Sequence, residues 1–176
     1  MRADARRNRE RLLAAADTVF TTRGTSVSTE EVAKEAGVGV GTLFRHFPTK
    51  EALLEAVFQA RMDAAADRME RLAEEADAGA AFREMFLVNV AESHQKNAYI
   101  EALAAAGIGI DETAAGTVRT RLRATLDVLL RRAQDAGTVR TDVTAQDVIA
   151  LMVGAARATE HSGGAAELIL DGLSPR

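Results

Sequence analysis

The 176-residue chain has no cysteine and no tryptophan, only two prolines and a single tyrosine. Without thiols it can form neither disulfides nor thiolate metal sites, and it suits a reducing compartment, the cytoplasm. Because Pro48 and Pro175 are the only prolines, almost nothing interrupts helix between them. Long apolar runs are also missing. Five arginines fall in the first eleven residues, and the Leu12-Leu13 segment behind them meets Asp17 too soon for a secretory signal. No stretch approaches the roughly 18 apolar residues of a membrane span, so no membrane partner is expected.

What the chain does have is alanine, together with apolar residues recurring at steps of three and four and no convincing period-two alternation. The expected fold is therefore all-α, with about nine helices. A first helix spans about residues 5–22, with Leu12, Ala16, Val19 and Phe20 facing inward. Ser28 caps a second helix, Glu31 stands in capping-box spacing, and Gly37 ends the helix. A third helix reaches about Phe47. A fourth begins near Lys50 and carries the stripe Leu54, Phe58, Met62, Ala65, Met69, Leu72 and Ala76. At 1.5 Å per residue it makes a rod of roughly 40 Å, long enough to link two domains. Further helices are expected at about 80–95, 98–106, 112–136, 145–161 and 165–171, with Thr144 and Asp147 as a capping pair for the penultimate one. Two domains follow from this reading, residues 1–49 with the first three helices and residues 50–176 with the rest.

Charge agrees with that division. Residues 1–50 hold nine basic and six acidic side chains, net +3; the remainder holds thirteen and twenty, net −7. The basic end is the one suited to phosphate. Within it, Ala33 and Ala36 allow two short helices to cross closely, Gly37-Val38 makes the turn, and Leu43 and Phe47 pin the second helix to a core. Gly41 and Arg45 then lie on the outer face, free to enter a major groove about 12 Å wide.

The run from Thr29 to Leu53, TEEVAKEAGVGVGTLFRHFPTKEAL, resembles the DNA-binding signature of the tetracycline-repressor (TetR) family. The resemblance implies that residues 1–49 are a three-helix DNA-binding domain with a helix-turn-helix and residues 50–176 a helical ligand-binding and dimerisation domain, with phosphate contact at Thr29, base-edge contacts at Val40, Gly41 and Arg45, and backbone contacts at Thr42, His46 and Lys50. Arg45 is the foremost candidate for reading a guanine. Two positions depart from the family: Gly39 replaces a common serine or threonine, and Phe44 replaces a common tyrosine, each removing a phosphate hydrogen bond. Arg6, Arg7, Arg9 and Arg11 fit a solvated basic helix end as well as they fit DNA contact.

Other chemistries are weaker. Gly37-Val38-Gly39-Val40-Gly41 follows a helix rather than a strand and lacks the sixth-position glycine of a dinucleotide loop. His46, His94 and His161 have no metal-ligand spacing, and no activated-nucleophile motif occurs. No cofactor, metal or catalytic residue is expected. Met62, Met69, Phe82, Met85, Phe86, Asn89 and Tyr99 are candidates for a mostly apolar effector pocket, although core packing is the first explanation of their helical spacing. Val148, Leu151, Met152, Ala155 and Thr159, with Leu168 and Ile169, form a candidate homodimer face on the last two helices. The expected function is a DNA-binding transcriptional regulator, a repressor released from a palindromic operator by a small apolar effector. The alternatives are an activator or ligand-independent repressor of the same type and, more distantly, a helical enzyme or interaction module.

Overall fold

A computed structural model describes residues 2–109 and 114–175. Eight α-helices and no strands occur among the described residues: α1 (Arg2–Arg23), α2 (Thr29–Glu35), α3 (Val40–His46), α4 (Lys50–Glu74), α5 (Ala78–Ala105), α6 (Ala114–Asp135), α7 (Ala145–Thr159) and α8 (Ala165–Asp171). No described helix is long and apolar enough to cross a membrane. Positions 112 and 113, expected to open the sixth of these helices, lie outside the described residues.

The two helices expected at 80–95 and 98–106 are one, α5. The polar run from Glu92 to Asn97 contains neither glycine nor proline, so nothing in it stops a helix. The apolar pattern breaks there because the buried face changes core. Phe82, Met85, Phe86 and Val90 pack in one cluster, Tyr99 and Leu103 in another.

The chain forms two compact units. The first comprises residues 1–62 and 95–116, the second residues 63–94 and 117–176. In the first, Leu12, Ala16, Val19 and Phe20 of α1 meet Val32, Leu43, Leu53, Leu54, Val57 and Phe58. Tyr99 completes this core, with the Phe20 ring edge-on at 6.2 Å and the Phe58 ring at 6.3 Å. Its hydroxyl donates to Asp17 at 3.3 Å. Arg61 donates to the same carboxylate at 2.6 Å, to Thr21 at 3.0 Å and to Gln95 at 2.5 Å, so one guanidinium ties α1, α4 and α5 together. Burial, reinforced by the negative charge of Asp17, holds the Tyr99 phenol well above its ordinary titration range.

The second unit packs Met69 and Leu72 of α4 against Phe82, Met85 and Phe86 of α5, Leu126 and Leu129 of α6, and Val148 of α7. Arg121 bonds both Glu70, at 2.5 Å, and Asp67, at 2.6 Å. Arg132 donates to the carbonyls of Ala73 and Glu75, where α4 ends and its last carbonyls lack helical partners. The N-terminus of α7 is closed by a complete capping box: Thr144 Oγ1 accepts from the Asp147 N–H at 3.3 Å, and the Asp147 carboxylate accepts from the Thr144 N–H at 2.8 Å. Aspartate, though shorter than the usual glutamate, reaches. Val148 and Ala155, expected on a dimer face, are fully buried in this unit's own core, whereas Val153 and Leu168 stand 63 % and 72 % exposed.

Candidate functional site

The hairpin α2–α3 is built from local signals. Ser28 Oγ accepts from the Glu31 N–H at 3.3 Å and caps α2. The Glu31 carboxylate, expected to complete a capping box, faces Arg23 at 3.5 Å. Gly37 ends α2 with φ +66°, its N–H donating to the Lys34 carbonyl at 3.1 Å and the Val38 N–H to that of Ala33 at 3.0 Å. That left-handed conformation is cheap for glycine and strained for any other residue. Gly39 then caps α3 through its backbone carbonyl, which accepts from Thr42 at 2.8 Å, with no side-chain contribution. Thr49 Oγ1 takes the Ala52 N–H at 3.0 Å and caps α4, a signal the sequence reading missed although Thr49 directly follows Pro48.

Helix α3 has two opposite faces. Leu43 is fully buried and Phe47 is 2 % exposed, so both are anchors. Gly41 and Arg45 are exposed on the far side, and Val40, Thr42 and His46 are half-buried at its edges. Lys50, at the start of α4, is also half-buried. Thr29 opens α2 with only 8 % of its surface exposed. Phe44, not among the expected contacts, is one of the few large apolar side chains left in solvent, at 39 % exposure.

The N-terminal arginines contribute to holding this hairpin. Arg11 donates from Nη2 to the carbonyl of Ala36 at 3.1 Å, satisfying an acceptor at the end of α2. The Arg9 guanidinium lies 5.1 Å over the ring of Phe47. Neither role has a sequence signal, because each pairs α1 with a residue at least 25 positions away.

The effector candidates fall into two groups. Met69, Phe82, Met85 and Phe86 lie together in the second core, each at most 5 % exposed, and the nearby Asn89 amide donates to the Met85 carbonyl at 2.8 Å. Tyr99 and Met62 belong instead to the first core.

Known proteins fit this architecture. A family model described as bacterial regulatory proteins of the tetR family matches residues 12–57, and one described as the C-terminal domain of SbtR-like transcriptional regulators matches residues 77–175. The crystal structure of a TetR transcription regulatory protein from Mycobacterium vanbaalenii is 37 % identical, with a TM-score of 0.83 over 99 % of both chains. That of a TetR transcriptional regulator from Streptomyces coelicolor is 31 % identical, with a TM-score of 0.73 over 95 % of this chain and 98 % of that one. An HTH-type transcriptional regulator of Staphylococcus aureus is 42 % identical over 64 residues, a match spanning 36 % of this chain and 35 % of the relative. The anchored hairpin, the C-terminal helices and these likenesses agree: the chain belongs to the TetR family of bacterial regulatory proteins.

Proposed function

We propose that the protein is a transcriptional repressor that binds a palindromic operator in double-stranded DNA as a homodimer and is released by a small, largely apolar effector. The observation that carries this reading is α3 itself, a helix anchored by Leu43 and Phe47 that turns Gly41 and Arg45 outward. Such a helix presents a fixed outer face to base edges, and Thr42, His46 and Lys50 flank it with groups suited to phosphate. Residues 1–49, with Lys50 at the boundary, carry the DNA contacts in this reading, and the rest of residues 50–176 the regulatory and dimerisation functions.

Dimerisation is assigned to α7 and α8. Val153 and Leu168 are exposed apolar side chains, and Gly154 between them in sequence leaves room where a side chain would meet nothing within 4 Å. A second copy bringing the same surface would cover them across a two-fold axis, matching an operator palindrome. The effector is assigned to the aromatic and methionine cluster of the second unit, with Asn89 as a polar anchor. Helices α4 and α5 each run unbroken through both units, so an effector that reorders the second unit acts on elements that build the first.

The test is selection of bound sequences from random DNA by the full-length protein, followed by mobility shifts. A palindromic consensus bound by a dimer is the expected result; no sequence preference at moderate salt would overturn it. For an effector found by thermal-shift screening, linkage requires operator DNA to weaken its binding by the factor by which it weakens operator binding, a coupling of about 1–3 kcal/mol. Equal effector affinity with and without operator would refute the release mechanism.

A further inference from the structure

The outer surface of α3 carries a side chain whose chemistry is unlike its neighbours. At 3.6 residues per turn, Phe44 stacks one turn beyond Val40, and Arg45 one turn beyond Gly41. The exposed arc therefore has an apolar column, Val40–Phe44, beside an open column that ends in a cation, Gly41–Arg45. Val40 packs partly against the first core, but Phe44 is 39 % exposed and has no polar atom. A tyrosine at this position would donate a hydrogen bond to phosphate; a phenyl ring cannot, so what it adds at a DNA surface is apolar contact. The major-groove edge of DNA displays one apolar group, the 5-methyl of thymine, and phenylalanine is a recognised partner for it.

We propose that Phe44, backed by Val40, is a specificity-determining residue that reads a thymine 5-methyl group in each operator half-site, next to the base pair read by Arg45. This rests on the DNA-binding reading above and deepens it. Gly41 supports the geometry: a Cβ there would meet nothing within 4 Å inside the protein, so the chain's own packing does not require a glycine. Its bare backbone lets the helix sit close to the bases, within reach of a methyl group for a ring as short as phenylalanine's.

The experiment uses the full-length protein and its selected operator, with deoxyuridine replacing each thymine in turn at both symmetry-related positions. Deoxyuridine removes only the methyl group and leaves base pairing unchanged. The expected result is one thymine per half-site whose replacement weakens binding about fourfold per half-site, the equivalent of one buried methyl group. Phe44→Ala should bind the parent operator more weakly and show no further loss with deoxyuridine at that position. Arg45→Ala should keep the deoxyuridine penalty. Specific binding that is indifferent to deoxyuridine everywhere would overturn the assignment, as would a penalty that persists in Phe44→Ala; the first outcome means that no thymine methyl is read, the second that another residue reads it. A protein that selects no DNA sequence at all would overturn the DNA-binding reading together with this one. Indifference in the scan on the unmodified protein overturns the assignment without any variant, and Phe44→Gln, with the same expected loss of the deoxyuridine penalty, replaces Phe44→Ala if the latter fails to fold.

Discussion

Gly37, Gly39 and Gly41 offer a controlled perturbation, because a Cβ added to any of them meets nothing within 4 Å. Steric clash is thereby removed as a variable, and backbone conformation alone should set the outcome. Gly37 has φ +66°, where an L side chain costs about 1–2 kcal/mol, so Gly37→Ala should destabilise by that amount. Gly41 is helical, within the first turn of α3, and alanine there should stabilise by about 0.5–1 kcal/mol. Gly39 is the cap of α3 with extended backbone and no side-chain hydrogen bond, so Gly39→Ser should stabilise by a few tenths of a kcal/mol. For a chain of this length about 1 kcal/mol moves Tm by roughly 2–4 °C, which separates the first two variants clearly. The assay is urea and thermal unfolding at one fixed protomer concentration, since dimer stability depends on concentration. Operator affinity supplies a second axis: Gly41→Ala should bind more weakly although it is more stable, because its methyl group occupies the exposed face. Three shifts of the same sign, or a neutral Gly37→Ala, would refute the reasoning.

Arg45→Ala should cost about 1–3 kcal/mol on the preferred operator and relax specificity at one base pair per half-site, whereas Lys50→Ala should weaken all sequences alike. Gel shifts on operator variants check this. Leu168→Glu combined with Val153→Glu should give a folded monomer by sedimentation and circular dichroism; a folded dimer would place the interface elsewhere. The Thr144 hydroxyl and N–H hold the Asp147 carboxyl below its ordinary 3.8, so its contribution to α7 is complete above that value and is lost as pH falls through the lower folded-state value. Hydrogen exchange at the first amides of α7 should report that loss, and Asp147→Asn should abolish the pH dependence.

The parts of the molecule legible in the sequence were those specified by neighbours along the chain. Ser28, Gly37 and the i, i+4 pair Leu43 and Phe47 define the hairpin within some 20 residues, and Thr144 with Asp147 defines the start of α7. Contacts made by long side chains across elements leave no such pattern. Arg61 joining Asp17 and Gln95, and Arg11 reaching Ala36, became visible only with the fold. The continuity of α5 was obscured because a polar stretch looks the same whether a helix ends or merely changes the core it faces. Helix α7 posed a related difficulty. Periodicity grouped Val148 and Ala155 on one face, but an apolar face reads the same whether it packs in the chain's own core, as this one does, or against a second copy.

The Tyr99 site has a consequence for modularity. Two rings, Phe20 and Phe58, and the carboxylate of Asp17 depend on a residue that follows Arg61 in sequence by a further 38 positions. A fragment cut after Met62 would keep all of α2 and α3 yet expose both rings to water and lose Leu103 as well. The recognition helix is thus housed in a discontinuous structure, completed by a segment encoded well beyond it. Exchange of reading heads between relatives, in the laboratory or by recombination, would need to carry the last turns of α5 with the first sixty residues or supply a matching aromatic there. A graft that respects only the apparent boundary in sequence would transfer the proposed DNA-contacting residues without the scaffold that holds them.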